Sequence, residues 1–166
     1  MTETPQQYTK RIRGYVVGKK PMNVLTATPR QIDALIKGVS KKKLACRPAP
    51  GAWSAVEILA HLADVEIVQS FRLRLILETN RTPIQAYDQN VWAKFSNYST
   101  QDSALSFEAY RINRERNLRL LKSLPRSMWS RYGVHAERGR ETITRITELM
   151  AGHDLNHLSQ IRRALK

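Results

Sequence analysis

The stretch "SAVEILAHLADVEIVQSFRLRLILE", Ser54 to Glu78, decides the fold class. Its opening is a capping box: the Ser54 hydroxyl can accept from the Glu57 amide while the Glu57 carboxylate reaches back to the Ser54 amide. No Gly or Pro follows until the chain passes Asn80, so the pattern predicts one long helix over 54–79. Its apolar residues fall on most sides, which suits a helix packed centrally among several neighbours. In its middle sits His61, a polar residue that needs a reason to be there.

Downstream, a connector over 80–102 holds "YDQNVWAKF" as a candidate short helix. A third helix is predicted over 103–123, followed by the loop "LPRSMWSRYGVHAERGR". The last helix, "ETITRITELMAGHDLNHLSQIRRALK", runs to Lys166. Upstream, "ACRPAPGAW" breaks the periodicity with two prolines and a glycine. Before it, "TPRQIDALIKGVS" predicts the first helix. Thr28 can cap, Pro29 suits the first helical position, and Ile32, Leu35, Ile36 and Val39 recur at helical spacing. Residues 1–27 are basic and weakly periodic and read as an N-terminal arm; 28–166 read as the domain. Four helices without period-two alternation make the fold all-α. The connector over 80–102 is long enough for the second and third helices to run parallel, where antiparallel neighbours need only a short turn.

Composition narrows the function classes. A chain of 166 residues with 42% hydrophobic content fits one globular domain with a real core. No apolar run approaches the ~18–20 residues that span a bilayer. "MTETPQQYTKRIRG" lacks the apolar core of a signal peptide, so a cytoplasmic protein is expected. Cys46 is the lone cysteine, which excludes an internal disulfide; with no base beside it, it reads as a free thiol in a loop. Lys and Arg exceed Asp and Glu by 28 to 14, a net charge of +14 that attracts polyanions. The basic residues are dispersed, however, and no nucleic-acid-binding motif or glycine-rich phosphate loop accompanies them. They read as a solvated basic surface.

The chain has four histidines. In "AGHDLNHLSQ", His153 and His157 stand one turn apart and point the same way from a helix. Their stripe also carries Ile146, Met150, Gln160 and Ala164. Burying them there without partners would cost about 2 kcal/mol for each orphaned group. A metal, a carboxylate or water could satisfy them. Asp154 stands where the zincin motif has its Glu, so "HDLNH" is not that motif. With His61 added, three neutral imidazoles from two helices would leave coordination positions open, as in catalytic zinc sites. His61 reads equally as a core histidine bonded to a backbone carbonyl or to Asp64. His135, in "YGVHAERG", reads as a loop residue and not a ligand.

Taken together, "PAPGAWSAVEILAHLADVE", "AYDQNVWA", an Arg-bearing third helix, "GVHAERGRET" and "GHDLNHLSQI" resemble the DinB/YfiT-like superfamily of metal-binding four-helix bundles. The resemblance extends from about Thr28 to the C-terminus. It implies an up-down-down-up bundle, in agreement with the long crossover. It places the metal ligands on His61, His153 and His157, with zinc or nickel as the typical ion and iron or manganese as alternatives. It further implies a small-molecule substrate and a metal-dependent hydrolase or a transferase or isomerase using a low-molecular-weight thiol such as bacillithiol or mycothiol. A homodimer is also within what it implies.

Other residues are candidates beside the ion. Asp88 in the connector reads as a general base, an acceptor behind a ligand, or a helix cap. Arg114, on the apolar stripe of Phe107, Tyr110, Leu118 and Leu121, needs an anionic partner, either a buried carboxylate or a substrate carboxylate. Glu57 and Asp64 could orient His61, and Gln160 could wall a pocket. Trp53, Trp92 and Trp129 read as packing anchors. Three functions therefore stand side by side: a metal-dependent thiol transferase or hydrolase, a metal-stabilised binding module without catalysis, and a basic nucleic-acid-associated protein.

Overall fold

The structure, a computed structural model, describes residues 3–166. In chain order the elements are α1 (Pro5–Gly14), α2 (Pro21–Ile36), α3 (Lys41–Leu44), α4 (Ala55–Glu78), β1 (Thr82–Ile84), α5 (Gln89–Phe95), α6 (Ser103–Ser123), β2 (Tyr132–His135), β3 (Gly139–Thr142) and α7 (Ile143–Leu165). The capping box at Ser54 forms: Glu57 N–H donates to Ser54 Oγ at 3.3 Å, and Ser54 N–H donates to the Glu57 carboxylate at 2.8 Å. Asp102 caps α6 and Thr142 caps α7 by the same device of a side-chain oxygen accepting from exposed backbone amides.

Two core layers set the helix directions. One packs Leu25 of α2, Leu73 and Ile76 of α4, Leu118 and Leu121 of α6, and Ile143, Ile146 and Met150 of α7. The other packs Ile32, then Ile58, Leu59 and Leu62, then Tyr110, then Leu158 and Ile161. Between the layers, residue numbers rise in α2 and α7 and fall in α4 and α6. The bundle is therefore up-down-down-up, with α4 and α6 parallel across the crossover. Ion and amide pairs agree, since Glu66 meets Arg114 and Ser70 meets Asn117.

Three features differ from the sequence expectation. First, α2 starts at Pro21, so Thr28 and Pro29 lie inside the helix. The Thr28 hydroxyl donates back to the Val24 carbonyl and caps nothing. Proline has no N–H to offer the carbonyl four residues earlier, here that of buried Leu25. That carbonyl instead accepts from Arg114 Nη1 at 3.4 Å. Second, part of the N-terminal stretch is a helix. Thr4 and Gln7 form a capping box at the start of α1, which packs against α7 with Ile12 fully buried. Third, the loop after α6 and the start of the connector carry a three-stranded sheet, β1 parallel to β2 and β2 antiparallel to β3. Strands of three or four residues are too short to display alternation. Gly133 is required in β2, where a Cβ would meet the Ile84 side chain and the Thr82 carbonyl.

Candidate metal centre

The antiparallel run of α4 and α7 brings His61 opposite His153 and His157. The Nε2 atoms of His61 and His153 lie 3.0 Å apart, and those of His157 and His153 lie 3.1 Å apart. Potential ligand atoms of all three lie within 4.8 Å of one another. Each ring is buried, at 1%, 8% and 6% exposure in sequence order. Trp53, just before the Ser54 cap, lays its ring against His61 with centroids 5.0 Å apart.

This convergence fits a cation better than hydrogen bonding. A neutral imidazole Nε2 holds one proton or one lone pair, so His153 Nε2 cannot make two good bonds to two other ring nitrogens. Nitrogens each ~2.1 Å from one ion stand about 3.0 Å apart at a right angle and about 3.4 Å at the tetrahedral angle. The observed spacings fall in or near that interval. His157 Nδ1 is buried without a partner, the atom through which a ligating imidazole is ordinarily oriented.

Electrostatics keep the rings neutral. Burial pushes His61 and His153 well below the usual histidine range, with the neighbouring imidazoles adding to it. Burial also lowers His157, to about 4, against the opposing effect of Gln160. Neutral rings keep their lone pairs available at neutral pH.

A cavity of about 320 Å³ opens beside His153 and His157. Its walls come from α1 (Tyr8, Arg11), the loop before α4 (Pro48, Gly51, Ala52, Trp53), α5 (Gln89, Asn90) and α7 (Asn156, Gln160, Arg163). Gln160 thus stands where the sequence suggested. Tyr8, Arg11, Asn90, Asn156 and Arg163 were not anticipated, and α1 was the missing element. Burial pushes the Tyr8 phenol up to about 12, so it remains a proton donor.

The other candidates lie outside the cavity wall. Asp88 Oδ1 accepts from Asn90 and Val91 N–H at 2.8 and 3.3 Å, which makes it the cap of α5. Arg114 is 2% exposed and spends all five N–H donors inside the protein. Two go to Glu66 at 3.0 and 2.6 Å, two to Asp154 at 2.5 and 3.0 Å, and one to Leu25 O. None is left for a substrate carboxylate. Asn117 completes the cluster by donating to Glu66 at 2.9 Å. Neither proposed carboxylate orients His61: Glu57 pairs with Arg47, and Asp64 accepts from the Tyr98 hydroxyl at 2.5 Å. His135 ends β2, is 2% exposed, and lies apart from the triad.

An up-down-down-up bundle with three convergent imidazoles from two helices defines a metal-binding class of four-helix proteins. The chain belongs to the DinB superfamily, whose family model matches residues 25–161. It is 24% identical over 145 residues to OB0782 of Oceanobacillus iheyensis, covering 87% of this chain and 84% of that protein. It is 22% identical over 151 residues to YfiT of Bacillus subtilis, covering 88% and 84%. Both names assign those proteins provisionally as metal-dependent hydrolases. The solved structure of YfiT, described as a probable metal-dependent hydrolase with an unusual four-helix bundle topology, superposes with a TM-score of 0.81 at 20% identity. That match covers 98% of this chain and 88% of YfiT and establishes the shared fold.

Proposed function

We propose that this chain is a metal-dependent enzyme in which His61, His153 and His157 hold one divalent ion, zinc or nickel, or in their place iron or manganese. The observation that carries the reading is the convergence of three buried imidazoles, two of which, His153 and His157, line a cavity. Such an ion supplies Lewis acidity, lowering the pKa of a ligating water or thiol so that its conjugate base is available near neutral pH. The chain's residues shape the rest. Trp53 shields His61, Tyr8 lines the cavity, and Asn90, Asn156 and Gln160 offer amides for orientation.

The chemistry is hydrolysis or transfer to a small-molecule thiol, and one feature favours the thiol. Among the described residues lining the cavity none is Asp or Glu, so no carboxylate stands ready to take a proton from water. A thiol, with an ordinary pKa of about 8.5, needs far less assistance than water does. A cytoplasmic location and a homodimer are part of the same proposal; the exposed Ile67, Phe71 and Val134 give a second copy an apolar face to cover.

The test is metal content by mass spectrometry on untagged protein, beside His157→Ala. About one ion per chain, absent from the variant, is the expected result. Reconstituted wild type without metal would leave the three histidines as core residues. Loaded protein is then assayed with nitrophenyl esters and with small thiols plus an electrophile.

A further inference from the structure

The cavity beside the histidines is lined by two guanidinium groups and by no acid among the described residues. Resting on the metal-centre reading above, we infer that its substrate carries an oxyanion, a carboxylate or a phosphate, held by Arg11 of α1 and Arg163 of α7. Arg163 is exposed at the cavity wall and makes no ion pair among the described residues. Arg11 already displays the two-pronged grip such a group needs. Its Nε and Nη2 each donate to one oxygen of the Glu3 carboxylate at 2.8 Å, while Nη1 donates to Asn156 Oδ1 at 3.3 Å. The Glu3 and Arg11 side chains are 37% and 43% exposed. An ion pair that open contributes at most about 1 kcal/mol, so an incoming carboxylate or phosphate can replace Glu3.

Charge accounting points the same way. Three imidazole ligands are uncharged, so the protein cancels none of the charge of a divalent ion held by them. Of the acids in the core, Asp154 and Glu66 are committed to Arg114 and Glu57 to Arg47. With such an ion bound and Glu3 displaced from Arg11, the side of the cavity facing a ligand is cationic from the ion through to Arg11 and Arg163, and such a concave cationic surface concentrates anions. A volume of about 320 Å³ lies at the small end of ligand pockets and suits a compact anionic molecule.

The test is calorimetric titration of inorganic phosphate and of succinate, at one ionic strength, into metal-free and zinc-loaded protein. The two probes distinguish a phosphate from a carboxylate requirement. Arg163→Gln and Arg11→Gln are compared with Arg162→Gln, an exposed neighbour absent from the cavity wall. Zinc content is measured on every sample. At least one probe binds wild type; Arg163→Gln and Arg11→Gln each weaken it roughly ten- to a hundredfold in both forms. Arg162→Gln leaves it unchanged, and all three variants keep their zinc. No binding of either probe, unchanged affinity in the two cavity variants, or an equal loss in Arg162→Gln would overturn the inference, the last by marking diffuse attraction to a chain of net charge +14. Anion binding that persists in a protein unable to take up zinc upholds the anion site and removes the metal reading. Full zinc with no anion binding does the reverse.

Discussion

Burial fixes the charge of the histidines, and that makes stability depend on pH in a calculable direction. The folded protein keeps His157 and His135 neutral down to about 4, in both cases chiefly through burial, whereas an unfolded histidine takes its proton near 6.5. Between those values the unfolded state binds more protons than the native state. The contribution is therefore fully present above about pH 6.5 and is lost as the pH falls toward about 4. Urea midpoints of chelator-treated protein should drop over that interval, ahead of the carboxylate titrations; a flat profile would show that these imidazoles are solvated. Arg114 makes a second prediction. Arg114→Ala strands the carboxylates of Glu66 and Asp154 in the core and should cost about 3–5 kcal/mol in urea unfolding. Arg114→Lys should recover little of that, because an ammonium cannot bridge two carboxylates and a carbonyl as the fork does. The sequence announced that Arg114 needed an anion but not which one, since Glu66 and Asp154 come from other helices and meet it only through the fold. Likewise the Asp64 partner offered for His61 is removed by tertiary structure alone, which sends Asp64 to Tyr98 and brings His153 to the ring instead.

Among the elements, α1 is the one whose absence from the sequence reading cost the most, because it supplies Tyr8 and Arg11 to the cavity. Its signal was present in "TPQQ", a Thr4–Gln7 capping box with Pro5 at the first helical position. The helix it begins is polar and carries few apolar residues, so periodicity gave it no support. Its seat is specific. Gly152, immediately before His153, has no side chain because a Cβ there would run into the Ile12 carbonyl. Gly152→Ala should push α1 off α7 at a cost of about 1–3 kcal/mol. Hydrogen exchange across Pro5–Gly14 should then quicken while zinc content holds, since the ligands themselves do not move onto α1. Unchanged protection of α1 would mean that the contact is soft. The same logic explains Pro29. It starts no helix but lies inside the continuous α2, where the Leu25 carbonyl it leaves free is used by Arg114, a compensation that no local pattern reveals.

For the molecule as a whole, the all-α class and the four long helices were legible in capping and periodicity; the long connector permitted a parallel pair, and the resemblance to the family supplied the up-down-down-up order. The small sheet was not legible, being made of short strands that owe their pairing to chain segments far apart in sequence. The layout gives the ion a global role. His61 lies on one of the two descending helices and His153 and His157 on an ascending one, 92 residues apart along the chain between His61 and His153. An ion gripped by all three ties the halves of the bundle together and exists only in the native state, so its binding free energy adds to folding stability. Free zinc at a hundred times its dissociation constant should stabilise the protein by about 2.7 kcal/mol, and chelation should remove that increment. Thermal unfolding with and without zinc measures it. His157→Ala should unfold at the same temperature in both conditions, because two imidazoles on different helices no longer close the site. A zinc-dependent shift of equal size in that variant would place the ion elsewhere on the chain.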